Sequence, residues 1–189
     1  MGEKRITVYA SWESSFIEEC PFCGSKSMRV REVEYDLPEI GKVLLVSYKC
    51  EKCGYRKSDL VPLARRGRVR AYLRVSCRSD LYAKVVRSGA ASVEIVELGA
   101  IIEPGIEAPT FITNVEGLLA RFKEAIERIE VLEGISASKA KEVVEKLAKG
   151  DMPFTLIIDD PWGVSTIIHP RGEGKVVLEV VEGEEIGKA

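Results

Sequence analysis

Histidine is nearly missing from this chain. Its 189 residues contain one, His169. That excludes sites built on two or more imidazoles, such as zincins, most non-haem iron centres and cupin-type metal barrels. Glutamine does not occur, and asparagine occurs once, at Asn114. Few heat-labile amides among many charged residues is a hyperthermophile pattern. Cells of that kind can keep intracellular disulfides, so a disulfide reading of the cysteines stays open. No apolar run approaches the roughly 20 residues of a membrane span, and the sequence shows no basic start followed by the apolar stretch of about 7–15 residues of a secretory signal. Val43–Val46 is typical of the runs present. A soluble cytoplasmic protein is expected, without a membrane partner. There is no G-x-x-x-x-G-K-[ST] phosphate loop and no dinucleotide fingerprint. One histidine leaves no assured Ser/His/Asp set, so no enzyme is expected.

What the chain does have is charge, unevenly placed. The formal net charge is -2, but residues 1–60 are neutral, residues 61–90 carry +7 and residues 91–189 carry -9. The basic segment alternates. Arg68, Arg70, Tyr72, Arg74, Ser76 and Arg78 fall on one face; Val69, Ala71, Leu73, Val75 and Cys77 fall on the other. Period two predicts a half-buried strand, with Cys77 a small core residue.

The other four cysteines read Cys20-Pro-Phe-Cys23-Gly, 26 intervening residues counted from Gly24, then Cys50-Glu-Lys-Cys53-Gly. Two Cys-x-x-Cys pairs, each followed by glycine, suit four thiolates around one tetrahedral Zn²⁺ at about 2.3 Å. The alternatives are two disulfides or a redox pair. A zinc with all four positions filled has no site for water and is structural. The gap holds two predicted strands, Met28–Tyr35 and Lys42–Lys49, and the preceding residues contain a short apolar stretch, Ile6–Tyr9, and a polar link.

Beyond the zinc segment the pattern is mainly β. Strands are predicted at 67–78, 81–88, 92–98, 154–158, 164–168 and 175–181. Between them the period changes to three and four. Thr113-Asn114-Val115-Glu116 resembles a capping box. Val115, Leu118, Leu119, Phe122, Ile126 and Ile129 form one helical stripe, ending at Gly134. A second helix over about 137–149 completes a hairpin at about 114–149. The fold class is therefore α+β: a four-cysteine ribbon at 15–62, then a β-rich domain at 63–182 with an inserted helical hairpin. Asp159 and Asp160 are adjacent in a predicted strand and point to opposite faces, so they are read as a turn, with Asp160 capping it before Pro161 and Gly163. His169, before Pro170, is read as an exposed strand end.

Several blocks together resemble the Zpr zinc-finger family: the cysteine pairs with Cys50–Arg56, the basic strand, Asp80-Leu81 through Ser88, Thr113–Leu119 and Pro153–Pro161. They run in the family's order over about residues 15–170. A single-module, archaeal-type member is implied, with a β-domain similar to a double-stranded β-helix. The resemblance also implies binding of translation elongation factor one-alpha through the finger, with a chaperone-like role. The receptor contact of eukaryotic members is not carried over.

Two functions follow. One is a zinc-dependent protein-binding module acting on that elongation factor. The finger tip would supply Leu37 and Ile40, if they do not fold back on the β-domain, and Arg68, Arg70 and Arg74 would guide approach. The alternative is a nucleic-acid-binding ribbon using the arginine strand 65–78 for phosphate contacts and Tyr72 for stacking. An isoelectric point near 5.7 speaks against the second.

Overall fold

The computed structural model describes residues 10–37, 41–63, 67–106, 108–172 and 174–181. The chain divides into two compact units. The first is residues 1–65 with 109–111, and the second is residues 66–108 with 112–189.

The first unit is a four-stranded antiparallel sheet in chain order: β1 Ala10–Glu18, β2 Met28–Leu37, β3 Gly41–Cys50 and β4 Arg56–Pro62. Its central hairpin pairs Met28 with Cys50 and Leu37 with Gly41. Met28, Val30, Val46 and Cys50 lie on one face and are buried with Cys20. Cys23, Leu44, Tyr48 and Tyr55 pack half-buried around them. The predicted polar link before the cysteines is in fact β1, whose partner register runs from Trp12↔Glu34 to Glu18↔Met28. Its serines and glutamates hide the strand signal. An edge strand with most of both faces exposed does not need alternating hydrophobicity.

The second unit has two antiparallel sheets and a helical hairpin. One sheet has the order β12-β5-β10-β7-β8, from Val176–Val180, Val69–Val75, Phe154–Asp160, Ser92–Ile95 and Ala100–Ile102. The other has the order β11-β6-β9, from Thr166–Ile168, Lys84–Arg87 and Phe111–Asn114. Alternate residues of the central strands fill the core: Ala71, Leu73, Val75, Phe154, Leu156, Ile158, Val93 and Ile95 are all nearly inaccessible. Helix α1, Val115–Glu133, adds Val115, Leu118, Leu119 and Phe122, and α2, Ser138–Lys149, adds Val144 and Leu147.

Several predicted boundaries move. The residues Arg78–Tyr82 form a 3-10 turn instead of opening a strand, because Asp80 turns inward to accept main-chain hydrogen bonds. β5 stops at Val75, so Cys77 is half-buried beyond the strand. The helix cap is Asn114 rather than Thr113: its side chain accepts from the Gly117 N–H at 2.8 Å. Gly117 leaves room for Thr113, whose Oγ1 would lie 2.2 Å from an added Cβ. The stripe on α1 also ends early. Ile129 is half exposed, and Val131 and Leu132 are over four-fifths exposed, so the end of the hairpin stands clear of the core. There Glu130 bridges the two helices, accepting from the Ala137 N–H and from Lys141.

His169 is the largest departure. It is buried, and its Nε2 lies 3.0 Å from Asp80 Oδ1, both side chains fully covered. Nδ1 accepts from the Arg171 N–H, so the ring donates to Asp80 through Nε2. Nothing near His169 in the sequence could reveal a partner 89 positions away. Burial opposes the Asp80 charge, but the N–H groups of Ser76 and Cys77 and the imidazole hold its carboxyl well below the usual carboxylate range. A depressed folded-state value means that this stabilisation is present above the ordinary carboxylate range and lost as pH falls towards the folded value. Replacing Asp80 by Ala strands these donors in the core. We expect a loss of about 3 kcal/mol in denaturant unfolding monitored at neutral pH.

Candidate metal centre

Two matching turns build the centre. In the first, the Gly24 N–H donates to the Cys20 carbonyl at 2.8 Å, and the Cys20 N–H donates to Ser25 O at 2.9 Å. In the second, the Gly54 N–H donates to the Cys50 carbonyl at 3.1 Å, and the Cys50 N–H donates to Tyr55 O at 2.9 Å. Gly24 and Gly54 have φ of 65° and 77°. Only glycine takes that left-handed turn without a Cβ penalty, which explains its place after each pair. The Glu51 N–H donates to Ser27 O and ties the two turns together.

The four Sγ atoms all lie within 4.8 Å of one another. Cys20 to Cys53 is 3.7 Å and Cys23 to Cys50 is 3.8 Å. A tetrahedron with zinc–sulfur bonds of about 2.3 Å has edges of about 3.8 Å. The residues therefore fit one zinc ion, and the donor set, four thiolates, is that of a closed structural site. The cysteines are free thiols, and the sulfur separations far exceed the roughly 2.05 Å of a disulfide.

Two serines support the sulfurs. Ser25 Oγ lies 3.1 Å from Cys23 Sγ, Ser27 Oγ lies 3.4 Å from Cys50 Sγ, and the two hydroxyls are 2.7 Å apart. The Ser27 hydroxyl, then the Cys53 main chain, brings Cys50 down to about 5. Ser25 lowers Cys23 in the same way. Cys53 is pushed up to about 12: the Tyr55 main chain favours its thiolate, but desolvation and the neighbouring sulfurs disfavour another negative charge. A divalent cation relieves that repulsion and displaces the remaining protons. These serines escaped the sequence reading, although the pattern Cys-Gly-Ser-Lys-Ser places two hydroxyls directly after a ligand turn. On the outer side, the Phe22 ring stacks on Tyr55 with centroids 6.4 Å apart and planes at 10°. Phe22 is 78% exposed.

The other predicted contacts fare differently. Ile40 lies outside the described residues, and of Leu37 the structure describes the main chain at the end of β2. The arginine face is exposed as predicted, but three of its charges, on Arg68, Arg70 and Arg74, are paired. Arg68 grips Asp159 with two bonds of 2.8 and 2.9 Å, and Arg70 Nε reaches the same carboxylate at 2.7 Å. Arg68, then Arg70, holds the Asp159 carboxyl below its ordinary value. Arg74 pairs with Glu97 and bonds Thr155. Tyr72 donates to Glu179. Asp160, on the opposite face, is fully buried and accepts from Ser88 Oγ and from the N–H groups of Trp162, Val164 and Ser165. The two adjacent aspartates thus serve two structural tasks.

A zinc ribbon joined to a two-sheet β-domain with a helical hairpin is a narrow class of protein. The ZPR1 zinc-finger domain model matches residues 14–64, and the ZPR1 jelly-roll domain model matches residues 79–182. The chain is 38% identical to a ZPR1-like protein of Methanocaldococcus jannaschii over 90% of this chain and 87% of that one. It is 35% identical to a ZPR1-like protein of Pyrococcus horikoshii over 90% and 78%. The zinc finger chaperone zpr1 of Schizosaccharomyces pombe is 30% identical over 92% of this chain and 41% of its own length. The chain belongs to the ZPR1 family. The zinc finger, the α+β class and the β-domain with two helices all agree with the expectation from sequence.

Three outcomes are expected. Cys50→Ser should abolish stoichiometric zinc in metal analysis and unfold the ribbon, whose folding free energy is bound up with metal binding of about 10–16 kcal/mol. Ser27→Ala should retain the metal at neutral pH but weaken zinc binding by about tenfold in chelator competition. RNA binding should be weak. Since each phosphate neutralised contributes about 0.7–0.9 to the log–log salt slope, arginines already paired should yield a shallow slope in a filter-binding titration.

Proposed function

We propose that the chain is a chaperone-like binding protein for translation elongation factor one-alpha, working in the cytoplasm by binding and not by catalysis. The finer part of this reading rests on the family resemblance, and the chaperone class on the printed name of the fission-yeast relative. One observation carries it to these residues. Phe22 projects from the first cysteine turn and lies flat on Tyr55 from just beyond the second. The metal links those two turns, so this exposed aromatic surface is expected to loosen when zinc is removed. Large rings at a rigid, partly desolvated site are what interface hot spots are made of. Leu37 and Ile40 at the hairpin between β2 and β3 are proposed as a second apolar contact, with Arg68, Arg70 and Arg74 confined to a guiding role by their ion pairs. No helix among the described residues is long and apolar enough to cross a membrane. The buried Asp80, Asp160 and His169 each have a full set of structural partners, which suits a binding protein.

The test is a pull-down of purified elongation factor in both nucleotide states, with and without zinc chelation. Wild type should capture the factor and lose it on chelation. Phe22→Asp should weaken capture by more than about fivefold, since hot-spot truncations cost more than about 1 kcal/mol, while keeping its zinc. The same is expected of Leu37→Asp/Ile40→Asp. Absence of binding by the wild type in either state would refute the partner. Unchanged binding by the folded, zinc-loaded variants would refute the contact surfaces.

A further inference from the structure

Among the described residues, β12 is the outermost strand of the five-stranded sheet of the second unit and pairs with β5 alone. Its sequence, Val176-Val-Leu-Glu-Val180, contains none of the lysine or proline that blunts natural edges. Val177, Leu178 and Val180 are 62%, 56% and 65% exposed.

The direction of its free main-chain groups follows from the register. The Val181 N–H donates to the Arg68 carbonyl at 2.9 Å. The same register continues from Val180↔Val69 to Val176↔Leu73. Hydrogen-bonded pairs alternate along an antiparallel ladder. Val181, Glu179 and Val177 therefore bond to β5, and Val176, Leu178 and Val180 turn their N–H and C=O groups outward.

We propose that this edge is a self-association surface, on which β12 pairs antiparallel with β12 of a second copy about a two-fold axis at Leu178. Leu178 then faces its own counterpart, and Val176 faces Val180. These are the very residues whose main-chain groups point outward, so each group meets a partner. Their side chains share the face of Ala71 and Leu73, opposite which they lie in the β5 register. Three apolar side chains from each copy thus come together. On the other face Val177 meets Glu179, whose carboxylate is already bonded to the Tyr72 hydroxyl at 2.7 Å.

Charge selects the antiparallel arrangement. In the sequence Arg171, Glu173 and Lys175 precede the strand, net +1, and Glu182, Glu184 and Glu185 follow it, net -3. Antiparallel pairing sets the strand end that follows the net-positive segment of one copy beside the end that leads into the net-negative segment of the other; parallel pairing would set like beside like. The opposite edge, β8, has only three residues. Association through β12 therefore uses the same patch on both copies and closes as a dimer instead of growing into a filament. This inference is independent of the elongation-factor reading.

The experiment is sedimentation equilibrium of the zinc-loaded protein over a concentration series. Wild type is expected to approach twice its 20.9 kDa mass as concentration rises. Leu178→Lys/Val180→Lys, with unchanged zinc content and circular dichroism, should associate at least tenfold more weakly. A wild type that stays monomeric at about 100 μM, where even a modest association of about -5.5 kcal/mol would be half formed, overturns the proposal. So does a folded double-lysine variant that dimerises as the wild type does. If the variant does not fold, amide exchange on the wild type decides. The N–H groups of Val176, Leu178 and Val180 should slow with concentration, while those of Val177 and Glu179 stay as they are. Concentration-independent exchange at the first three would overturn it.

Discussion

Four sulfurs drawn onto one point hold the first unit together. A four-stranded sheet needs a partner layer to bury one face. Here one buried cluster is Met28, Val30 and Val46 with two of the ligands themselves, Cys20 and Cys50, while Val33 and Val43 are buried as well. Two of the metal's ligands are thus also core residues. The metal joins the turn after β1 to the turn after β3, and so sets how far the central hairpin can slide, since Met28 must stay opposite Cys50. The exposed aromatic stack spans the same two turns, Phe22 in one and Tyr55 just beyond the other. Ser25 and Ser27 then place hydroxyls against the sulfurs, so the ribbon meets the negative charge of its own ligands with short-range polar contacts.

The second unit solves a different problem, that of joining distant segments through polar side chains inside a dry core. Asp160 gathers the Ser88 hydroxyl and three main-chain N–H groups of the following turn. Asp80 does the same for the turn after β5 and also takes the imidazole of His169. Arg87, almost wholly buried, spends its guanidinium on the Ala91 carbonyl, with two bonds closing the loop after β6. Such groups cost free energy to bury unless every bond is made. Among the described residues no buried side-chain nitrogen or oxygen lacks a partner. The outward arginines follow the same economy, with Asp159 and Glu97 cancelling much of the basic strand's field.

What could be read in the sequence was whatever depends on spacing. The cysteine pairs, the alternation of β5, the stripe on the first half of α1 and the glycines ending both helices are local patterns, and each stands in the structure. What could not be read depends on pairing across the chain. β1 is a strand because β2 lies beside it, although its own residues are mostly polar. His169 is buried because Asp80 receives it, and Asp80 bends the chain into a 3-10 turn where alternation suggested a strand. The charge of residues 61–90 could be read as solvated or as paired with acids of the following half, but which acids answer it, Asp159 and Glu97, could not be told, because they lie far along the sequence. The apolar stripe of α1 ran past the core because helical period reports a face, not how much of it is covered.

Asn114 bears on how this molecule ages. It is the chain's only side-chain amide, and so its only site for loss of ammonia from a side chain. Its Oδ1 is already engaged, capping α1 through the Gly117 N–H. Hydrolysis of that amide to aspartate would keep an oxygen in the same place, and aspartate caps helices as well as asparagine does. The new negative charge would sit at the positive end of the helix dipole, where it is favourable. Loss of side-chain ammonia is thus confined to a single position, and there the aspartate formed by direct hydrolysis can take over the work of the residue it replaces.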